Sequence, residues 1–588
     1  MDAWRGERLT TPRGTWLLLV LAAAAILAAR AAFAFTLPGP WFLPDEVIYL
    51  DHARHIASQG QVFYRGPITG VQPVWPALLA PVSALLPESP LCAYRASVAL
   101  SSAFATLVMF PGFLIARRWL PPAEAAAAGL LAAVMPGISL YGWAALTEPL
   151  FTFVLVCCAA WLLAALERER TTDFLGCAIL AGLSFWIRPF GISVILAFLA
   201  ATWVWGAGRK RWREPLAATV CILAILGAGL LWKWIARPGD IAITNYSGEA
   251  GVLRSRLDSF QTVAGCTDFL MIVSRDVAYM FVATYAVYLP IALVTFVRGL
   301  WALRTLTPTF KAVLMGALVL GAGMYGLTAL AVMGTPELTR MYGRYVEPLV
   351  PLMVLAGAAG WRRLGHDPKI RWSLLLLVVI LTALLGAVLP AGKTSFTNNA
   401  GLWSWYLIYS HTLPAAGLAV LVAWWVLFSL LHRHRLLGLT LVAGGAIVST
   451  LLVTHHMTRY NEETEPLRRL TAQACDALQR DMPPKAEAAL WVDPSFFAQS
   501  EAAAQTMHQM ASWLEFGVPR LDVRIAHQEE VANVGDYLLT RTGPEDMPLI
   551  WKSGALGIYR IERRRSRTAS SGDPSGATGL RPASGTPP

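Results

Sequence analysis

Charge is what this chain has least of. Asp, Glu, Lys and Arg make up 14% of its 588 residues, against 56% hydrophobic residues. A soluble domain carries roughly a quarter charged residues, so the deficit excludes an ordinary water-soluble globule and points to a membrane protein. Cysteine is scarce too: Cys92, Cys157, Cys158, Cys177, Cys221, Cys266 and Cys475 show no metal-type spacing, which argues against a cysteine-built metal site. Most of them fall in apolar runs, where a thiol acts as a small hydrophobe. Only Cys266 and Cys475 lie clearly outside; two separate free thiols is the preferred reading over a disulfide between them. The chain also lacks clusters of Lys and Arg interleaved with aromatics outside short loops. The net charge of +11 is therefore no footprint of nucleic acid.

What it has in quantity is long apolar runs. A span needs about twenty mostly apolar residues. Thirteen candidates lie near residues 15–36, 93–116, 123–143, 149–166, 174–189, 190–207, 215–236, 276–297, 311–333, 346–361, 372–391, 412–431 and 437–455. The first is too long for a signal-peptide core and has no clear small-residue cleavage site, so it counts as a span. With a cytoplasmic N-terminus carrying Arg5, Arg8 and Arg13, the alternate loops should be basic. They are: Arg117-Arg118, Arg168 with Arg170, Arg209-Lys210-Arg211, Arg298 with Arg304, Arg362-Arg363 and His432-Arg433-His434-Arg435 all fall on one side. That accounts for most of the net charge. The odd span number places everything after residue 455 outside.

The opposite side carries the chemistry-bearing residues. The first outer loop, residues 37–90, opens with Pro44-Asp45-Glu46 immediately after the first span. Carboxylates at a low-dielectric boundary cost energy to keep. Asp45 to Gly60 reads as a short surface-lying helix, and capping of that helix by its own acidic first turn is the plain reading of the pair. A Pro/Gly turn with Tyr64 follows, then Gln72-Pro73-Val74-Trp75-Pro76 leading into an apolar helix over 77–86 that is too short to span. Between the third and fourth spans stands Thr147-Glu148-Pro149, with Thr147 a candidate N-cap and Pro149 just inside the helix. Glu148 is either a carboxylate at a helix start or a second acid facing the cavity of Asp45. Arg188-Pro189 interrupts the apolar stretch between spans five and six, where Arg188 either snorkels to the interface or binds an anionic head group. Arg340, Arg344 and Tyr345 precede a span on the outer side, where the positive-inside rule disfavours arginine. Arginine offers a planar fork suited to phosphate oxygens, and tyrosine can stack on a sugar face.

From residue 456 the composition turns soluble. Strands are expected at 489–492, 521–525, 536–541, 549–551 and 557–561, with a helix over 494–514. This gives a small α/β domain over 456–562 and a Ser/Gly/Pro-rich disordered tail over 563–588.

These motifs, in this order, resemble the membrane-embedded GT-C glycosyltransferases, in particular the group of protein O-mannosyltransferases and aminoarabinose transferases. The resemblance rests on Asp45-Glu46, Tyr49 and Ala53, Gly60, Gln72-Pro73-Val74-Trp75-Pro76, Thr147-Glu148-Pro149-Leu150-Phe151, Arg188-Pro189 and the segment Gly343-Arg344-Tyr345 to Pro348 and Pro351. It covers roughly residues 15–365. Gln72 stands where aminoarabinose transferases tend to carry a lysine, which leaves the sugar open.

The fold implied is an α-helical polytopic membrane protein of about 13 spans, a GT-C-like domain over 1–455, with a small extracytoplasmic α/β domain. The implied function is transfer of a sugar, with inversion, from a polyprenyl-phosphate-linked donor to a glycan, lipid or protein acceptor on the outer face of a bacterial inner membrane. The implied site has Asp45 as general base, Glu46 and Glu148 shaping it, and Arg344, Arg340, Tyr345, Arg188, Tyr64 and Gln72 binding substrate or phosphate. No cofactor is demanded; a divalent cation, Mg or Mn, held by Asp45 or Glu148 stays open. Two other classes fit the hydropathy. A lipid or glycan transporter wants midplane charges and an internal repeat, which are not seen. A non-catalytic envelope-assembly protein would tolerate Asp45→Asn.

Overall fold

A computed structural model of the chain describes residues 13–41, 45–59, 72–87, 89–235, 256–333, 343–364, 368–388, 435–482, 488–493, 501–518, 521–525, 537–540, 547–553 and 556–561. The chain divides into two compact units, Met1–Arg469 with His508–Pro519, and Leu470–Met507 with Arg520–Pro588.

The first unit is helical. Helix α1 (Arg13–Thr36) is followed by the two short helices expected in the outer loop, α2 (Asp45–Gln59) and α3 (Val74–Leu85). Then come α4 (Pro90–Leu107), α5 (Met109–Ala116), α6 (Pro122–Val134), α7 (Pro136–Gly142), α8 (Glu148–Arg168), α9 (Thr171–Ile187), α10 (Gly191–Arg209) and α11 (Arg213–Ile235). After them follow α12 (Val263–Ala283), α13 (Tyr288–Trp301), α14 (Pro308–Val332), α15 (Val350–Leu364), α16 (Pro368–Val388) and α17 (Arg435–Asp481). Among the described residues six helices are long and apolar enough to cross a membrane, and up to eight if each of two bent pairs is one span. The protein is a multi-pass membrane protein. The span expected near 412–431 and the tail over 563–588 lie outside the described residues.

Two expected spans are broken or re-cut, each for a local reason. The run 123–143 forms α6 and α7, bent by 53°, because Met135 takes extended backbone (φ −56°, ψ 142°) ahead of Pro136. Arg30 of α1 reaches into the break, to one backbone carbonyl and two hydroxyls. Its Nη2 donates to Ala133 O (2.8 Å) and Ser139 Oγ (3.0 Å), and its Nη1 donates to Thr106 Oγ1 (2.9 Å). The run 276–297, expected as one span, is instead a knee: α12 and α13 meet at 115°. Tyr285 and Ala286 both sit at φ 57° there, a left-handed conformation that ends a right-handed helix. The boundary between α9 and α10 falls at Arg188-Pro189, where the sequence separates the fifth and sixth spans. Arg188 is extended (φ −150°, ψ 145°) before Pro189, and α10 restarts at Gly191.

In the second unit, β1 (Ala488–Val492) pairs in parallel with β2 (Leu521–Ile525) and with β3 (Tyr537–Thr540). Strands β4 (Leu549–Ser553) and β5 (Leu556–Arg560) complete it as antiparallel neighbours, in the order β2-β1-β3-β5-β4. Asp481 receives the Tyr537 hydroxyl and Arg560 Nη1, both at 2.9 Å. The strands fall where alternation in the sequence puts them. The composition change at residue 456 lies inside α17, which continues without a break, and Leu470 is where the second unit begins. All seven cysteines are free thiols.

At Gly191 a Cβ would strike the backbone of Ser184 and Phe185. Backbone cannot yield as a side-chain tip can. Gly191→Ala is therefore expected to cost about 1–3 kcal/mol through overpacking, read as a lower Tm of the detergent-solubilised protein, whereas Gly227→Ala, inside α11 with open space around it, should leave Tm unchanged or slightly raised.

Candidate active site

Asp45 and Glu46 open α2, and their side chains do different things. Glu46 is fully buried. Its Oε2 accepts from Trp41 N (2.8 Å) and its Oε1 from Ala145 N (2.7 Å), so one carboxylate joins the turn before α2 to the turn before α8. Two tryptophans reinforce that junction: Trp41 Nε1 donates to Trp143 O and Trp75 Nε1 to Ala145 O, both at 3.1 Å. The clamp fixes the chain three residues ahead of Glu148, the first residue of α8. Thr147 does not cap that helix as its sequence position suggests. Its own backbone is helical (φ −75°, ψ −20°), and its hydroxyl turns to Glu148 Oε2 at 3.3 Å.

Glu148 has a side chain only 2% exposed and meets two arginines at the same oxygen. Arg344 Nε donates to Oε1, and Arg188 Nη1 lies 2.7 Å from it as an ion pair without an aligned hydrogen bond. Arg344 also donates through Nη1 to Asp45 Oδ2 at 2.6 Å. Asp45 differs from its partners in being open: its side chain is 39% exposed, against 10% for Arg344. Arg344 sits in a 3₁₀ turn, Gly343–Tyr345, and the turn needs its glycine, since a Cβ at 343 would overlap the Tyr279 ring. The next 3₁₀ turn, Glu347–Leu349, is anchored by the Tyr279 hydroxyl donating to Glu347 Oε2. Tyr345 stacks on Phe190 (5.0 Å, 18°), and the Arg188 guanidinium lies 5.7 Å from both ring centroids.

The formal charges of Asp45, Glu148, Arg188 and Arg344 cancel. Burial, reinforced by the charges of Asp45 and Glu148 and opposed by those of the two arginines, pushes the Tyr49 hydroxyl on α2 up to about 12. At neutral pH it is a neutral donor facing the cluster. Among the described residues no three His, Cys, Asp or Glu side chains gather as metal ligands. A cation bound by Asp45 or Glu148 would have to share or displace the arginine contacts of those carboxylates.

Residues 71–232 match the family model described as dolichyl-phosphate-mannose-protein mannosyltransferase. Among solved structures, ArnT from Cupriavidus metallidurans in the apo state aligns over 93% of this chain and 97% of its own, with a TM-score of 0.51 and 17% identity. The chain has the fold of that ArnT structure. The same ArnT bound to undecaprenyl phosphate aligns over 93% and 98%, with a TM-score of 0.49 and 17% identity. The archaeal oligosaccharyltransferase AglB from Archaeoglobus fulgidus, in complex with an inhibitory peptide and a dolichol-phosphate, aligns over 86% and 64%, with a TM-score of 0.42 and 14% identity. No curated protein sequence matches the chain.

Within this fold, Asp45, Glu148, Arg188 and the neighbours Arg344 and Tyr345 are brought together from four places in the sequence. Glu46 is adjacent but engaged with backbone amides. Gln72 is buried just before α3, its Oε1 without a hydrogen-bond partner among the described residues. Tyr64 and Arg340 lie outside the described residues. Sequence reasoning assigned no role to Tyr49, Tyr279 or Glu347. Glu347 stands three residues after Arg344, a buried acid beside Pro348, and that proximity was the available signal.

Glu46→Gln tests the clamp. An amide offers one acceptor, so its NH₂ would face either the Trp41 or the Ala145 N–H, donor against donor. The expected cost is about 1–3 kcal/mol, seen as a lowered Tm, with Glu46→Asp no better because its shorter reach cannot span both amides.

Proposed function

We propose that this protein transfers a sugar from a polyprenyl-phosphate-linked donor to an acceptor hydroxyl at the outer face of a bacterial inner membrane, with Asp45 as general base. The observation that carries the reading is the shared grip of Arg344 on a solvent-open carboxylate and a buried one. A buried ion pair with an exposed end makes little sense as a stabilising device, because desolvation offsets much of its attraction. It makes sense where a base must be held still beside a phosphate site. The match of residues 71–232 to a family described by a dolichyl-phosphate sugar donor supports the same donor class.

The step follows from the groups. The acceptor oxygen attacks the anomeric carbon from the face opposite the phosphate, inverting that carbon, and its proton passes to Asp45. The bond from the anomeric carbon to the phosphate oxygen breaks, and its electron pair leaves with the phosphate. Arg344 and Arg188 then meet the growing charge with preorganised donors. The Phe190–Tyr345 stack beside Arg188 offers an aromatic face to a sugar or prenyl group. A polyprenyl chain enters sideways from the lipid, which suits a site built at the ends of α8 and α9. The orientation follows the basic loops, with the N-terminus cytoplasmic and the α/β unit outside.

The test is transfer from a panel of polyprenyl-phosphate sugars by purified protein. Wild type should transfer at least one, and Asp45→Asn should lower that rate by roughly 10²–10⁴-fold with Tm little changed, because the replaced group is the exposed member of the cluster. Undiminished transfer by Asp45→Asn would remove the assignment of the base. A wild type that transfers none but exchanges labelled polyprenyl phosphate across liposomes would favour a transporter.

A further inference from the structure

Helix α18 (Glu501–Gly517) comes from the C-terminal part of the chain, yet its second half belongs with the membrane-spanning unit, which takes in His508–Pro519. Two of its side chains grip the segment that carries Asp45. The indole N–H of Trp513, itself buried, donates to Pro40 O at 3.1 Å. Pro40 is one residue before Trp41, whose amide is held by Glu46. Phe516 lies three residues further on, on the same helix face. Arg54 of α2 stands over its ring, 5.6 Å from the centroid, and donates through Nη2 to Phe516 O at 3.4 Å. The Tyr94 ring of α4 meets Phe516 edge-on at 6.0 Å. Trp513 is backed by the Arg468 guanidinium at 5.9 Å, and Gln509 Nε2 donates to the Tyr460 hydroxyl at 3.0 Å.

The contacts bracket Asp45. Pro40 is held ahead of it and Arg54 behind it, and both anchors come from one rigid turn of α18. An irregular stretch such as residues 37–41 has no ladder of its own, and its carbonyls need outside donors when buried. Without Trp513, the Pro40 carbonyl loses that donor, and the linker is left with the bonds at Leu37 and Trp41, none of which holds Pro40 itself. We propose that Trp513 and Phe516 are positioning residues for Asp45, holding the start of α2 at the distance from Arg344 that the reaction needs. This rests on the function proposed above. It gives the late part of the chain a task inside the membrane unit, separate from whatever the α/β sheet binds.

The experiment uses the full chain in nanodiscs, wild type beside Trp513→Phe, which keeps a ring and removes the donor. Two readouts are taken: steady-state kinetics with the active donor, and amide hydrogen exchange by peptide. Loss of one buried hydrogen bond predicts a kcat lower by about five- to tenfold, KM for the donor within about twofold, and faster exchange over residues 37–50 with exchange over Met109–Ala116 unchanged. A Trp513→Phe enzyme with wild-type kcat overturns the proposal, whatever its exchange. Faster exchange everywhere with a matching loss of folded protein also overturns it, since the residue would then serve general stability. Phe516→Leu, a milder change to the same grip, decides the matter if Trp513→Phe does not fold. If wild type transfers no sugar, the proposed reaction has failed, and unchanged exchange over 37–50 would separately show that the grip is absent.

Discussion

The site depends on one guanidinium. Arg344 reaches Asp45 across a separation of 299 residues and Glu148 across 196, so three distant stretches meet at a single planar group. Its fork geometry lets one side chain address two carboxylates in different directions, which a lysine ammonium on a flexible stem would do poorly. Because Glu148 is buried, removing Arg344 would leave an acid in low dielectric with Arg188 as its remaining cation. Such breaks in buried pairs cost about 3–5 kcal/mol.

The adjacent carboxylates at 45 and 46 divide the labour by geometry. Consecutive helix residues point about 100° apart. The first faces Arg344 and solvent; the second turns inward to two backbone amides. Neither could take the other's place without a rotation of α2. That helix is fixed in turn by the Trp41, Trp75 and Trp513 indoles, each donating to a backbone carbonyl in an irregular stretch. Large buried aromatics with one polar tip suit this role, filling volume while supplying the donor that a loop lacks.

Much of this was legible in the sequence, and the failures have physical causes. Helical runs, the two short outer helices and all five strands follow from hydropathy and alternation, which act locally. Arg188 and Glu148 were recognisable as polar residues in apolar surroundings, though each had a bland reading until they were found 2.7 Å apart. The knee at Tyr285 and Ala286 was not legible, because neither residue favours a left-handed backbone and only packing enforces it. Thr147 looked like a cap because caps are read from residue type, whereas its backbone is already helical and its hydroxyl accepts from no amide of the first turn. The clamp at Glu46 was hidden for a different reason. Its partners are backbone amides of Trp41 and Ala145, and backbone carries no signature in sequence.

The cancelling charges of the cluster have a consequence for timing. With Asp45, Glu148, Arg188 and Arg344 neutral as a set, a donor phosphodiester makes the occupied site negative by one charge. In the reaction proposed above, sugar transfer would give the phosphate a second negative charge, while the acceptor proton would neutralise Asp45 in the same step. The total does not change. The negative charge moves across Arg344, from the carboxylate on its Nη1 side to the departing phosphate. A guanidinium released by one anion as the other appears needs no rearrangement of water in a poorly solvated place, where moving net charge would be costly. On that proposal product release would be the electrostatic reset: until Asp45 gave its proton to solvent, through the opening that leaves it partly exposed, Arg344 would keep hold of the spent lipid phosphate.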